Sequence, residues 1–282
     1  MSAAGLDAVL PLLACPHCAQ SLNRQGSGVV GCVNGHRFDI ARQGYLSLLG
    51  SRSRTDTGDS ADMVQARVTF LGAGHYRPIA EHIAAMVAAG PVLEIGAGTG
   101  YYLGVALDGL RDKGSGAAVG IALDASRYAA RRAAADPRVG SIVADAWSRL
   151  PVRDGVSSTV LSVFAPRDPA EIARVLAPTG RLIVVTPEPD HLAEIRSAVG
   201  LLGVDAGKTD RLDDAFGGLG QPMKRRQLRA AMNLTRGDIA ALVRMGPAAR
   251  HVRGDQLQAA VAELAEPTTV TMSVTVSVFA AG

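Results

Sequence analysis

The chain has 282 residues, 48% hydrophobic and 20% charged, with a net charge of +3. This excludes a disordered or low-complexity chain and leaves room for one large domain plus a small one. The mild positive charge is compatible with a nucleic-acid partner without requiring one, and aromatic residues, at 4%, are too few for many base-stacking platforms. The first residues carry no basic segment ahead of an apolar run, and no apolar run reaches the roughly 18 residues of a membrane span. The expectation is a cytoplasmic protein with no membrane association.

The first chemistry in chain order is a metal pattern. Cys15-Pro-His-Cys18 is followed by Cys32 and His36, a C-x2-C-x13-C-x3-H spacing that uses every cysteine in the protein. Two close pairs of thiolate and imidazole ligands are what tetrahedral zinc requires, and four protein ligands leave no open position, so the zinc is expected to be structural. Gly35 allows the knuckle to turn. Val29–Gly31 and His36–Asp39 read as short strands. His17 lies between two ligands and is expected to point away. So short a segment cannot bury a core alone, and metal binding would supply its folding free energy. Residues 1–50 are assigned to this module.

Residues 51–60 are polar and read as a linker or mobile loop in which Arg52 and Arg54 are phosphate contacts or plain solvated side chains. Ser60 is an N-cap for a helix over 61–71, a second helix spans 79–89, and 51–75 is taken as linker and helix. The next stretch, Pro91 to Tyr102, is an apolar strand with Glu94 near its end, then Gly96, Gly98 and Gly100 in strict alternation, then a helix. Strand, glycine turn and helix open a nucleotide-binding α/β unit. The G-x-G-x-G spacing after an acidic residue resembles the S-adenosylmethionine (SAM) loop of class I methyltransferases rather than a dinucleotide loop.

The zinc knuckle with CVNGHRFDIARQGYLSLL, the GDSADMVQARVTFLGAGHYRPI segment and LEIGAGTGYY together resemble the 23S rRNA guanine-N1 methyltransferases over nearly the whole chain, tylosin-resistance enzymes of actinomycetes included. The resemblance implies methyl transfer from SAM to N1 of a guanine in hairpin 35 of 23S rRNA, by a homodimer whose zinc modules frame a cleft for RNA. Two branches act at guanine 745 or at 748. The Val163-Phe164-Ala165-Pro166 and Leu182-to-Pro187 segments and the Ala- and Arg-rich composition resemble the 748 branch, linked to macrolide resistance. The resemblance also puts Tyr76, Gly98, Thr99 and His191 in the SAM pocket. This loop has Gly-Thr-Gly where other members have Gly-Glu-Gly, so Thr99 would act through hydroxyl or backbone.

The remaining chain, within a methyltransferase domain taken as 76–282, reads as a Rossmann-like seven-stranded α/β sheet. Strand 117–123 ends in Asp124, a ribose-hydroxyl acceptor or the cap of a helix over 126–135. Strand 141–144 ends at Asp145-Ala146, where class I enzymes meet the adenine amino group. Trp147 reads as core packing rather than an adenine platform. Strand 158–164, a helix over 168–176, a turn at 178–180 and a strand over 181–186 follow. His191 by residue type alone reads as surface decoration. Residues 205–220 read as mobile. The cluster Lys224-Arg225-Arg226-Gln227-Leu228-Arg229 is a solvated sheet edge or a phosphate contact. Thr235 caps a helix to Val243, and 270–278 alternates as an antiparallel closing strand. Asp168, Asp190 and His191 are candidate acceptors of the N1 proton, with no catalytic base assigned. The competing functions are methylation of a small metabolite, which leaves the zinc module unexplained, and a zinc RNA-binding protein without catalysis, against which the intact loop with Glu94 and Asp124 argues.

Overall fold

The computed structural model describes residues 4–49, 58–114, 118–201, 214–219 and 222–281. Near its N-terminus β1 (Asn23–Arg24), β2 (Val29–Gly31) and β3 (Arg37–Asp39) form an antiparallel sheet. Cys32 and His36 flank the β2–β3 turn, where Gly35 adopts φ +84° as the knuckle requires. The chain then runs through β4 (Leu46–Ser47) into the large sheet.

That sheet contains β5 (Val92–Ile95), β6 (Gly120–Asp124), β7 (Val139–Val143), β8 (Ser157–Val163), β9 (Leu176–Pro187), β10 (Lys224–Leu234) and β11 (Thr268–Ala280), in the order β10-β11-β9-β8-β5-β6-β7-β4. The seven expected strands are present. An eighth is added because Leu46 and Ser47 pair in parallel with Ile142 and Val143. From β5 the chain builds outward through β6 and β7, then returns to β8 on the other side of β5. The crevice between the β5 and β8 loops is therefore a topological switch point, where open α/β sheets bind ligands.

Both faces of the sheet are covered. Along a strand alternate side chains point to opposite faces, and here both sets are apolar. Val92, Ala122, Leu161, Ile183 and Val185 join one hydrophobic cluster with the helices Ala61–Gly72, Arg77–Met86 and Tyr101–Asp112. Leu93, Ile95, Ile121, Leu123, Ile142, Val160, Leu182 and Val184 join the other. That second cluster contains Leu6, Val9 and Leu13 from the first residues and Leu22, Val30, Cys15 and Cys32 from around the metal ligands. The helix Ala4–Val9 lies so close to β7 that a Cβ on Gly140 would sit 2.0 Å from Val9 Cγ2. The metal-binding segment thus buries its apolar side against the large sheet.

Ser60 caps the helix Ala61–Gly72, its Oγ accepting from Met63 N–H at 3.3 Å. Thr235 caps Arg236–Arg244 in a full capping box with Asp238. Pro178-Thr179-Gly180, expected as a turn, lies within the 12-residue β9. The register against β8 shifts between Ser157 and Thr159, so these residues are absorbed as an irregularity of the ladder. The β10–β11 ribbon continues to Leu234 and Thr268, past the last β9 partner at Pro187, and carries Arg236–Arg244 against Ala61–Gly72.

Residues 51–57, with Arg52 and Arg54, lie outside the described residues, as do Ala117 and most of 205–220. Within the last stretch the described Phe216 is buried against Phe279, with ring centroids 5.5 Å apart, so at this point the expected mobility gives way to core packing. No described helix is long and apolar enough to cross a membrane.

Candidate active site and metal centre

The four predicted ligands converge. One donor atom each from Cys15, Cys18, Cys32 and His36 lies within 4.8 Å of all the others. His36 Nδ1 is 3.6 Å from Cys15 Sγ and 3.3 Å from Cys32 Sγ, and Cys18 Sγ is 3.6 Å from Cys32 Sγ. Zinc–sulfur bonds of about 2.3 Å and a zinc–nitrogen bond of about 2 Å give a tetrahedron with edges of roughly 3.5–3.8 Å. The donor set and its spacing therefore fit zinc. His17 adds no donor atom to the cluster; its ring packs between the His36 ring, centroids 4.9 Å apart, and the Phe38 ring, 5.8 Å apart.

A cavity of about 400 Å³ opens at the switch point. Gly96 and Gly98, at φ +67° and +54°, form its floor. Beside them lie Val163, the last residue of β8, and Phe164 to Pro166 after it, and a Cβ on Gly96 would come within 2.6 Å of Ala165 Cβ. A side chain at residue 96 would therefore wedge the two loops apart. Asp124 ties the loop to β6, one carboxylate oxygen accepting from Gly98 N–H and the other from Ser126 N–H, both at 2.8 Å. Burial raises this carboxyl, against the lowering effect of those two donors. A carboxylate offers about four acceptor positions, so two remain for a diol. Ser126 itself caps the following helix through its Oγ, so Asp124 braces the cap rather than replacing it.

Asp145 and Ala146 also line the cavity, with Asp145 accepting from Trp147 N–H at 2.9 Å and Ser148 Oγ at 3.0 Å. Trp147 corrects the expectation of core packing. It is 60% exposed at the cavity, because the turn that Asp145 organises throws it outward from the end of β7.

Three residues expected around the donor do not line this cavity. Thr99 sits in the turn above Gly98, and Gly100 starts the helix Tyr101–Asp112. Glu94 is 1% exposed beneath the loop and accepts from Leu103 N–H at 3.1 Å. It holds the helix start from below. Burial pushes its carboxyl up to about 8. An unfolded glutamate releases its proton near 4.5. The folded state thus keeps a proton that the unfolded chain has lost, and the stability present below pH 4.5 is lost as pH climbs through about 8. Glu94→Gln, which mimics the protonated form, is expected to match wild type near about pH 4, to exceed it increasingly as pH rises toward about 8, and so to lack this slope in urea melts. An unchanged slope in the variant would refute the assignment.

His191 is buried, not surface decoration. Its Nδ1 accepts from Ser273 N–H at 3.1 Å, so the ring proton of the neutral form is on Nε2, which donates to Tyr76 Oη at 3.0 Å. Tyr76 Oη then has its own proton free to donate elsewhere. Burial, aided by Arg196, lowers the His191 pKa to about 4, and burial raises the Tyr76 hydroxyl. With Nδ1 engaged and Nε2 protonated, the imidazole has no lone pair to take a proton. Asp168 is committed to the N-terminus of Pro169–Val175, bonding Ala170 N–H and Glu171 N–H, and Asp190 is paired with Arg229 at 3.0 Å. The structure thus places His191 at the cavity and gives all three candidate proton acceptors other work.

Sequence reasoning missed several lining residues: Asp59 and Arg67, and Leu242 with Met245 to Pro247. Asp59 and Arg67 belong to the GDSADMVQAR segment, whose acid and base eight positions apart form an ion pair of 2.7 Å. The C-terminal group carries no local signal, since only the β10–β11 ribbon brings it over the cavity.

The RlmA N-terminal zinc-ribbon family model matches residues 13–54. Over 278 residues the chain is 44% identical to the 23S rRNA (guanine(748)-N(1))-methyltransferase of Streptomyces fradiae, covering 96% of this chain and 97% of that one. Among solved structures it is similar to BH2331 of Bacillus halodurans C-125, named as a methyltransferase (TM-score 0.50, 14% identity, 72% of this chain and 97% of that one). It is also similar to the [4+2]-cyclase SpnF (TM-score 0.51, 17% identity, 81% and 96%). These two show the class I methyltransferase fold alone. The cyclase makes plain that the fold does not by itself choose the reaction.

Proposed function

Since the chain belongs to the family of 23S rRNA (guanine-N1-)-methyltransferases, we propose that it methylates N1 of guanine 748 in hairpin 35 of 23S rRNA, with SAM as donor. The observation that carries the reading is the full-length relationship to the Streptomyces fradiae enzyme, joined to a cavity whose lining suits that donor. The residues fit it as follows. Asp124 would receive the ribose hydroxyls on its two open acceptor positions, and Asp145 with Ala146 would flank the adenine. Gly98, with the Tyr76–His191 pair, would face the methionine part, while Thr99, the next residue of the turn, stands off the cavity lining. When bound, the donor supplies a methyl group on a sulfonium, already a strong electrophile, so the protein's task is chiefly alignment.

Guanine N1 lies on the pairing edge, so the target base has to be unpaired or extruded to reach the cavity. Trp147 and Phe164, both exposed beside it, present aromatic surface on that side. The zinc module would hold the RNA hairpin while the larger domain carries the chemistry. From family membership we also infer a homodimer acting in the cytoplasm and contributing to tylosin-type macrolide resistance.

Primer extension across hairpin 35, on rRNA from cells with and without the gene, tests the proposal, because a methyl on N1 blocks pairing and stops reverse transcriptase. The expected result is a gene-dependent stop at guanine 748. A stop at 745 would keep the reaction and move the site. No stop from a protein that binds SAM would sink the rRNA reading in favour of a small-molecule substrate. Failure to bind SAM would favour a non-catalytic RNA-binding protein.

A further inference from the structure

We propose that Arg67 is the residue that receives the donor's α-carboxylate. The inference rests on the SAM reading and deepens it. The donor carries two cationic centres, sulfonium and ammonium, and one carboxylate. The charged residues lining the cavity are Asp59, Asp124 and Asp145 on the anionic side and, among the described residues, Arg67 alone on the cationic side. Carboxylates suit the cationic centres; the anionic group needs a counter-charge, and Arg67 is the one available.

Its geometry is that of a pre-set receptor. Both of its hydrogen bonds run through Nη2, to Asp59 Oδ2 and to the Met245 carbonyl, each at 2.7 Å. These fix the plane of the guanidinium. Among the described residues, Nε is shielded from solvent without a partner and Nη1 makes no bond. An arginine held in this way keeps its charge and offers a planar fork that matches a carboxylate. The side chain lies against the glycine turn: a Cβ on Gly98 would be 3.1 Å from Arg67 Cδ and 3.4 Å from Nε. That is the part of the cavity assigned above to the methionine moiety. Gly98 therefore has a second reason to lack a side chain, since any Cβ would press on the arginine.

Asp59 is then a positioning residue, acting through Arg67. The arrangement also spans the chain, because the Met245 carbonyl that locks the guanidinium lies on the segment delivered by the β10–β11 ribbon.

Titration calorimetry with SAM and with its decarboxylated analogue, on wild type and on Arg67→Met, tests the proposal. Wild type is expected to bind SAM about ten- to a hundredfold more tightly than the analogue, the range for one charge-assisted pair. Arg67→Met is expected to lose most of its affinity for SAM while binding the analogue almost as wild type does, so that the preference collapses toward one. Retained binding of the analogue also certifies the fold of the variant. Arg67→Lys, which keeps the charge but loses the fork, should fall between. Should Arg67→Met not fold, the wild-type preference and Arg67→Lys decide. Equal binding of SAM and analogue by wild type, or equal weakening of both by Arg67→Met or Arg67→Lys, overturns the proposal. Wild type that binds neither compound would refute the donor reading itself.

Discussion

Replacing Cys32 with serine, or withdrawing the metal with a chelator, is expected to unfold the metal-binding segment and to expose the sheet face that it covers. The four ligand atoms lie within 4.8 Å of one another, and without a cation at their centre three sulfurs and an imidazole are crowded with little to hold them together. Structural zinc contributes on the order of 10 kcal/mol in small zinc modules, as much as the whole stability of many domains. The effect should extend beyond residues 13–54, because Cys15, Cys32, Leu22 and Val30 share a hydrophobic cluster with Leu93, Ile121 and Leu182 of the large sheet. Thermal melts should show a much earlier transition, and hydrogen exchange should rise in β7 and in the helix Ala4–Val9. His17→Ala, which touches Phe38 and His36 but supplies no donor, should retain one zinc per chain by elemental analysis. A Cys32→Ser protein with a wild-type melt, or a wild-type protein free of zinc after growth in zinc-replete medium, would refute the metal assignment.

Asp124→Ala is expected to weaken SAM binding about a hundredfold or more. Two charge-assisted hydrogen bonds to ribose hydroxyls are worth about 3 kcal/mol or more together, which is at least two powers of ten in affinity. The side chain also accepts the Gly98 and Ser126 N–H groups at 2.8 Å, so its removal loosens the glycine turn itself. Asp124→Asn should fall between, since one oxygen remains an acceptor while the amide meets an N–H donor. The loss should appear in the dissociation constant and in KM for the donor more than in kcat at saturation. Wild-type affinity in the alanine variant would exclude Asp124 from the donor site.

Much of the local structure was legible in the residues themselves. The C-x2-C-x13-C-x3-H spacing defines a ligand set because ligands three and four positions apart on tight turns can share one ion. Ser60 and Thr235 announced their helices because a cap is a contact between residues three apart. The alternation of 270–278 marked a strand that the structure extends to Thr268–Ala280. The glycine turn after β5 was readable for the same reason: its chemistry lies within a dozen consecutive residues.

The remainder depended on partners distant in sequence. Glu94 looked like a cavity residue, yet the alternation of β5 and the start of the next helix place it under the loop, where desolvation rather than a ligand governs its proton. His191 looked like surface until Ser273 and Tyr76 closed on its two nitrogens and set its tautomer. Trp147 looked like core until Asp145 turned it outward. Arg67 had no visible role while its partners lay apart in the chain, the Met245 carbonyl 178 positions away. The sequence by itself therefore marked the candidate metal ligands, the capped helices, the strands of a methyltransferase sheet and the resemblance to the family. Only the tertiary structure decided which side chains meet in the cavity, which proton each carries and which are diverted to hold the loop, because desolvation and charge pairing arise from neighbours that the packed sheet and its helices bring together.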